Sequence, residues 1–470
     1  MKSAIVRIES IEIINFKNVN YGYIDLRNTR TDFQSSVLGL YGQNGSGKTA
    51  LIDSLLLLKL VLSGRPVSAE FANYINVDSD SATLRYTFKV EDKRDVSSYL
   101  VHYEISIRKD LVDPDDNDNQ KNGRSQNYRV TIFNELLSYS YEGNDRKVKM
   151  SPIVDTRASD IFVPKTKYEA LVGTSKETMT NLLVSKKLTT TTSRSFVFSR
   201  ELLNTIRKNC LEGYHLSLFE RLVFFGNYRL FVISTANTGL ISMNTLPLAF
   251  NYDDGSYTST GSLLIDLNGP SLIPASAVEV VGKVIKNMNV VLTQLVPGLT
   301  IGLKSLGMQL DSDSNVLQQI QLTSNKNSKE IPLRYESDGI KKIISILQLL
   351  IVVYNQRSIT VAIDELDSGV FEYLLGELLR IISEKGKGQL LFTSHNLRTL
   401  ETLNKGFIAF TTTNPCNRYI RMNNVKTSNN LRDFYYRDIV LGEQCEPVYD
   451  ATNNFEIALA FREAGEHNAS

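Results

Sequence analysis

The stretch "LGLYGQNGSGKTALIDSLLLLKLVL", residues 38–62, decides the fold class. Apolar residues lead into a glycine-rich turn of the pattern G-x-x-x-x-G-K-[ST], and a leucine-rich run follows. Glycines let successive backbone N–H groups point at phosphate oxygens, and the positive end of the next helix adds to the attraction. The alternative, a glycine turn that binds nothing, is disfavoured because every motif position is filled. The stretch predicts a phosphate loop formed by Gly42, Gln43, Asn44, Gly45, Ser46, Gly47, Lys48 and Thr49.

A second motif places two adjacent carboxylates, Asp364 and Glu365, after the β-branched run 359–363. Adjacent carboxylates at the tip of a buried strand repel each other unless a cation and a water occupy the site. We therefore expect Thr49 and Asp364 to hold Mg²⁺, Asp364 through its water shell, while Lys48 reaches the β- and γ-phosphates of ATP. Glu365 is expected to orient and polarise the attacking water.

Two further motifs are weaker alone but occur in the right order. The apolar strand in "QLLFTSHN", residues 389–396, leads to His395, which can donate to a γ-phosphate oxygen. In "ESDGIKK", residues 336–342, Ser337 and Gly339 precede a long apolar helix, so a hydroxyl and backbone N–H groups form a second anion site. The alternatives are a satisfied polar residue at a strand end and a plain helix cap.

The composition is that of a long chain with almost no net charge and few cysteines. With 470 residues we expect at least two domains or lobes. Lys plus Arg (52) nearly equals Asp plus Glu (51), so no net field attracts nucleic acid or membrane. Three widely spaced cysteines indicate neither a disulfide framework nor a zinc site and fit a reducing cytoplasm. No apolar signal core begins the chain, and the longest apolar run, 343–353, is too short to span a bilayer.

The predicted fold class is α/β, a P-loop ATPase head with an antiparallel β lobe and a mostly helical insertion. Residues 1–150 are expected to form an N-terminal lobe in which 82–90, 99–107 and 128–141 are antiparallel strands. Residues 151–297 are expected to form the insertion, and residues 298–470 a C-terminal lobe. No heptad pattern is sustained, so no long coiled coil is expected.

The ordered motifs resemble those of ABC-type ATPase heads, in the division that contains SMC, RecF and OLD-like proteins. The opening I-x-N-F-K-N, residues 13–18, is similar to the first strand and turn of RecF and SMC heads. The "ESDGIKK" signature, the short insertion and the ending "FEIALAFREAG", residues 455–465, resemble the AAA-15 abortive-infection ATPases. That family includes the ATPase of the PARIS anti-phage system and AbiL-type ATP-binding proteins. The glutamine loop that ABC heads use to sense Mg²⁺ has no clear counterpart in the sequence.

This resemblance implies a homodimer that sandwiches two ATP molecules. Ser337 and Gly339 of one copy would then close on the nucleotide in the other copy's phosphate loop. Asp367, in the turn after Glu365, would lie at the interface and couple the two sites. A higher homo-oligomer is a further option.

Two functions remain open at this stage. The first is a cytoplasmic sensor and scaffold in anti-phage defence, with a phage protein or DNA as trigger and a toxin or nuclease on a separate chain. About seventy-five residues follow His395, too few for the Toprim nuclease domain of OLD proteins. The second is a RecF-like DNA-maintenance clamp, whose basic groove would use the pairs 186–187, 207–208 and 341–342. Solvated helix faces are the simpler interpretation of these pairs. A transporter ATPase is disfavoured because the L-S-G-G-Q motif is missing.

Overall fold

The computed structural model describes residues 4–28, 34–92, 96–111, 128–144, 146–157, 164–253, 258–310, 316–422, 430–442 and 444–466. The first third of the chain is mainly β: β1 (Ala4–Phe16), β2 (Val19–Asp25), β3 (Ser36–Tyr41), α1 (Lys48–Leu62), a 3₁₀ turn (Ala69–Tyr74), β4 (Ser81–Asp92), β5 (Ser97–Leu111), β6 (Tyr128–Glu142) and β7 (Lys147–Asp155).

The middle segment combines helices with short strands. Its elements are α2 (Lys165–Val172), α3 (Lys176–Thr191), α4 (Arg200–Asn209), α5 (Gly213–Tyr228), β8 (Leu230–Ile233), α6 (Thr235–Ser242), β9 (Thr245–Asp253), β10 (Thr258–Asp266), β11 (Ser271–Pro274) and α7 (Ala275–Leu295).

The last segment begins with strands and ends with helices. Its elements are β12 (Leu299–Leu310), β13 (Val316–Lys326), β14 (Lys329–Pro332), a 3₁₀ turn (Leu333–Tyr335), α8 (Asp338–Asn355), β15 (Thr360–Ile363), α9 (Glu372–Lys385), β16 (Gln389–Thr393), α10 (Arg398–Thr402), a 3₁₀ turn (Lys405–Phe407), β17 (Ile408–Thr411), β18 (Tyr419–Ile420), α11 (Leu431–Leu441) and α12 (Asn454–Glu466).

A six-stranded central sheet positions the site. Its strand order is β18-β17-β3-β16-β15-β8, and all neighbours are parallel except the β17–β18 pair. The three segments predicted as lobes all contribute to it, since β3, β8 and β15 come from the first, second and third segments. Parallel strands end at a common edge, so the residues after β3, β15 and β16 lie together.

The N-terminal strands form a separate antiparallel sheet in the order β2-β1-β4-β5-β6-β7. The predicted antiparallel strands at 82–90, 99–107 and 128–141 are therefore confirmed as β4, β5 and β6. Strands β12 and β13 pair in a further antiparallel sheet with β11 and β14. The result is a mixed α/β protein, and the described residues contain no long coiled coil.

Apolar packing on both faces of the central sheet fixes its position. Along β15, Ala362 faces one apolar cluster while Val361 and Ile363 face the other, because successive side chains of a strand point to opposite faces. Helix α1 lies in the first cluster with Leu55, Leu57 and Leu58 fully buried. The leucine-rich run that follows the phosphate loop is thus a helix buried between the N-terminal and central sheets. In the described part of the chain, no helix has both the length and the apolar character needed to cross a membrane.

Candidate functional site

The phosphate loop connects β3 to α1 at the common edge of the central sheet. Gly45 and Gly47 have φ angles of +76° and +91°, which lie in the left-handed region that favours glycine. Gly42 has no room for a side chain, because a Cβ there would lie 1.8 Å from Thr411 Oγ1. Ser46 contacts the same hydroxyl. The glycine positions of the motif therefore follow from local backbone geometry.

Lys48 is buried at the start of α1, with 7% of its surface exposed. Its Nζ donates to the carbonyl oxygens of Gly42 and Gln43, at 2.9 Å each. Burial lowers the pKa of Lys48, and the carboxylates of Asp364, Glu365 and Asp367 oppose that shift. An anionic phosphate in the loop would compensate the same buried charge, so this lysine is suited to bind one.

Thr393, at the end of β16, binds the carboxylate of Asp364 and the backbone of Glu365. Its hydroxyl donates to Asp364 Oδ1 at 2.5 Å and accepts the backbone N–H of Glu365 at 2.8 Å. Asp364 is only 1% exposed, yet its Oδ2 has no hydrogen-bond partner within the described residues. A buried carboxylate oxygen without a partner fits a ligand of a divalent cation.

A magnesium ion at this site would need oxygen ligands from the substrate as well as from the protein. The described residues contain no group of three or more His, Cys, Asp or Glu side chains placed to hold a metal. Mg²⁺ commonly takes one or two protein ligands and completes its shell with water and phosphate oxygens. Thr49 and Asp364 line one cavity and can supply those two protein ligands.

Glu365 has a strained backbone. Its φ of +47° lies in the left-handed region, which is uncommon for a residue with a Cβ. The strained turn begins directly after β15, and Ser368 N–H closes it by donating to Glu365 O at 3.1 Å. Such strain is concentrated at functional positions, where surrounding contacts hold it.

His395 follows β16 and is held through its backbone. Its N–H donates to Asp367 Oδ2 at 3.0 Å, while its side chain lines the same cavity as Lys48. Burial lowers the pKa of His395, with a further contribution from Lys48. The imidazole is therefore neutral at pH 7 and can serve as a hydrogen-bond donor from one ring nitrogen.

A cavity of about 210 Å³ unites most of the predicted residues. It is lined by Lys17, Asn18, Asn44, Gly45, Gly47, Lys48, Thr49, Ala50, Asp364, Glu365, Thr393 and His395. Four of these, Lys17, Asn18, Ala50 and Thr393, were not predicted as site residues. Lys17 forms an ion pair with the buried Asp53, and Asn18 donates to the carbonyl of Gly45. The motif N-F-K-N, residues 15–18, resembles the first turn of RecF and SMC heads and could have indicated Lys17 and Asn18 as site residues.

Gln43 lies outside the cavity lining and has a structural contact. Its Oε1 accepts the backbone N–H of Asp450 at 2.9 Å, which ties the C-terminal segment to the phosphate loop. Gly42 and Ser46 also support the loop from outside the lining, through the contacts at Thr411 described above.

The structure does not bring Ser337 and Gly339 to this cavity. Ser337 caps α8, its hydroxyl accepting the N–H of Ile340 at 3.4 Å, and is itself exposed. Gly339 packs against the turn after β15, since a Cβ there would lie 2.1 Å from Gly369 O. The start of α8 therefore contacts the turn that carries Asp367, while its capping residue remains accessible to another molecule.

The expectation of solvated helix faces is wrong for one basic pair. Lys341 and Lys342 are 4% and 2% exposed. Lys342 Nζ donates to Thr238 Oγ1 at 2.7 Å, and burial lowers the pKa of Lys342 against the opposing field of Glu365, Asp364 and Asp367. These lysines are internal partners of polar groups near the site, because α8 packs between α6 and the sheet. They contribute to no basic groove.

Two family models match the chain. One is described as an AAA domain and matches residues 10–211. The other is described as an AAA domain, putative AbiEii toxin, type IV TA system, and matches residues 252–401. Together they include the phosphate loop and both carboxylates, and they support an ABC-type ATPase. The chain has the fold of an ABC-type ATPase head.

Among the solved structures that are similar to this chain are head domains of SMC proteins. An Smc head bound to the C-winged helix domain of ScpA is 12% identical, with a TM-score of 0.41, covering 88% of this chain and 98% of that chain. The SMC head domain from Thermotoga maritima is 13% identical, with a TM-score of 0.35 and coverages of 88% and 99%.

A third similar structure is that of the recombination mediator protein RecF with ATP. It is 12% identical, with a TM-score of 0.33 and coverages of 83% and 94%. The strand order of the central sheet, the phosphate loop and the two family models support the fold of an ATPase head independently of these likenesses. No curated protein matched the chain.

Proposed function

We propose that the chain hydrolyses ATP at a site completed by a second copy, and that it does so as a member of the AAA-15 abortive-infection ATPases. The observation that supports the composite site is the separation of the phosphate loop from the helix start that carries Ser337. Lys48 and Glu365 line one cavity, whereas Ser337 lies outside it, exposed at the start of α8. In a pair of copies, each Ser337 faces the partner's nucleotide.

Phosphate binding is the task of the loop. In this proposal Lys48 exchanges its two carbonyl partners for β- and γ-phosphate oxygens, which restores a full charge partner to a buried ammonium. Lys17 and Asn18 add polar contacts at the cavity wall. Thr49 and Asp364 would hold Mg²⁺, which would neutralise part of the phosphate charge.

Water activation is the task of Glu365. The bond from its backbone N–H to Thr393 and the left-handed φ set the direction of the residue at the strand tip. Its carboxylate accepts a proton from, or orients, the water that attacks the γ-phosphorus. His395 donates to a γ-phosphate oxygen as negative charge develops.

A chain of contacts links the site to the surface that would meet the partner. His395 N–H is held by Asp367, and Gly369 in the same turn packs on Gly339 at the start of α8. Loss of the γ-phosphate would release His395 and alter this turn. Hydrolysis would thereby loosen the contact between two copies, since ATP favours the paired state.

The defence role is supported by the second family model, whose description names a putative AbiEii toxin of a type IV TA system. In this proposal the ATPase is a cytoplasmic sensor and scaffold, a separate effector carries the toxic activity, and a phage protein or phage DNA is the trigger. The RecF-like clamp is the less favoured function, because the burial of Lys341 and Lys342 removes one of its three basic pairs.

Phosphate release by the purified chain tests the biochemical part. Glu365→Gln is expected to reduce turnover at least about a hundredfold while fluorescent-ATP binding persists, and Lys48→Ala to weaken the binding itself. Wild-type turnover in Glu365→Gln would contradict the assignment. Phage plating on cells that express the chain with its neighbouring genes tests the defence role. Plaque counts that are reduced neither by the wild-type chain nor by Lys48→Ala would contradict it.

A further inference from the structure

The helix α12 stands free of the surface of its own subunit. Every residue from 451 to 465 is exposed. Phe455 and Phe461 are 78% and 77% exposed, and Ile457 and Leu459 are 43% and 45% exposed. A helix that is apolar around most of its circumference is normally a buried one. Helix α12 therefore requires a covering surface.

The side chains of α12 define the chemistry of that surface. Successive residues of a helix are about 100° apart, so Glu456 and Glu463, seven residues apart, fall on one narrow stripe. The four large apolar side chains occupy the remainder of the circumference together with Arg462. A groove with exposed apolar side chains and a positively charged rim would match the apolar residues and the acidic stripe.

The same chain carries such a groove. A cavity of about 1070 Å³ lies between α3 and α4 and extends to the end of α1. Val184 and Leu188, one turn apart on α3, line it and are 54% and 58% exposed. Its lining also includes Arg194, Arg200 and Arg207 and one carboxylate, Glu201. The groove therefore offers two exposed aliphatic side chains and an excess of positive charge to the acidic stripe of α12.

In its own subunit α12 does not lie in this groove, since every residue from 451 to 465 is exposed. The hydrogen bond from Asp450 N–H to Gln43 fixes the base of the arm beside the phosphate loop. The groove begins at Ser63 and Gly64, beyond the far end of α1, which has 15 residues and is therefore about 22 Å long. The chain from 450 to 454 spans at most about 14 Å. The start of α12 is thus held at the end of α1 opposite to Ser63 and Gly64, which favours the groove of another copy.

We propose that α12 docks into the groove between α3 and α4 of a second copy of this chain. Helix-in-groove docking buries the apolar face of the helix and leaves its acidic stripe against the arginines at the rim. Arm and groove are different surfaces, so the contact closes either as a reciprocal exchange between two copies or as a ring. The contact needs no nucleotide and is independent of the ATP-dependent pairing proposed above.

Sedimentation velocity of the full chain without nucleotide tests this association. The wild type is expected to sediment as two or more copies at micromolar concentration, and deletion of 451–470 to produce monomers. Since α12 has no cover in its own subunit, the shortened chain should still fold and bind fluorescent ATP, although loss of the association lowers its thermal unfolding temperature at equal chain concentration. A wild-type monomer, or an unchanged assembly after the deletion, would overturn the proposal.

Charge reversal tests the assignment of the groove without removing any segment. Glu456→Arg with Glu463→Arg, and Arg194→Glu with Arg200→Glu, should each weaken association at least about tenfold. Combining all four changes in one chain should restore it. Glu330→Arg, at an exposed position on β14, is the matched control and should have no effect. Failure of the combined variant to recover, when each pair alone dissociates the assembly, would overturn the pairing of α12 with this groove.

Discussion

The backbone N–H of His395 donates to Asp367 Oδ2 at 3.0 Å. This single bond joins the residue expected to contact the γ-phosphate to the turn expected to face a neighbouring copy. The same turn touches the start of α8 through Gly369 and Gly339. The position of His395 is thus set by a residue that contributes no atom to the cavity lining.

Removal of the Asp367 side chain should slow hydrolysis without preventing ATP binding. Asp367→Ala leaves the N–H of His395 without its acceptor, so we expect turnover to fall about tenfold, as for the loss of one hydrogen bond worth about 1.4 kcal/mol. Asp367→Asn retains an acceptor oxygen and is the matched control, with turnover close to wild type. Phosphate release gives the rate and fluorescent-ATP titration gives the affinity. Equal rates in the Ala and Asn variants would contradict the anchoring role.

The strain at Glu365 predicts a conflict between stability and activity. At φ = +47°, glycine avoids the steric cost that a Cβ incurs. Glu365→Gly should therefore be more stable than Glu365→Ala by about 1 kcal/mol, although neither hydrolyses ATP. Chemical denaturation of both variants measures the difference. A Gly variant less stable than the Ala variant would show that the turn is relaxed.

The buried Thr393 hydroxyl should control the requirement for Mg²⁺. Thr393→Val removes the donor to Asp364 Oδ1 and the acceptor for Glu365 N–H, leaving both groups without partners. We expect the Mg²⁺ concentration for half-maximal hydrolysis to rise about tenfold, as for other residues that orient metal ligands. Thr393→Ser keeps the hydroxyl and should behave like wild type. An unchanged Mg²⁺ requirement in the Val variant would contradict this role.

Sequence alone predicted the central part of the site because its residues follow parallel strands. Lys48, Asp364, Glu365 and His395 each come just after β3, β15 or β16, and parallel strands end at one edge. Their motifs occur in order along the chain, so no distant packing had to be known.

The remaining features depend on tertiary packing that no local pattern specifies. Lys17 and Asn18 reach the cavity because the N-terminal sheet packs across α1. The four residues of β8 join the central sheet only through their pairing with β15. Lys342 resembled a solvated lysine in sequence, yet Thr238, more than a hundred residues away, supplies its partner. The exposure of α12 likewise becomes visible only when the rest of the fold is in place.

A mixing experiment tests the composite site, which is the central claim. Ser337→Arg alone should bind ATP but not hydrolyse it, because a bulky cation replaces a small hydroxyl at a helix N-terminus that must contact an anion. The matched control is Ser175→Arg, which alters another serine cap, at the start of α3, and should leave hydrolysis intact.

The decisive measurement is phosphate release from an equal mixture of Ser337→Arg and Glu365→Gln chains. In a mixed pair, one site combines an intact Glu365 and phosphate loop from one chain with an intact Ser337 from the other. Random pairing should restore roughly a quarter of wild-type turnover, although neither variant hydrolyses ATP alone. No recovery, when native mass spectrometry shows that mixed pairs have formed, would contradict the composite site and reduce Ser337 to a helix cap.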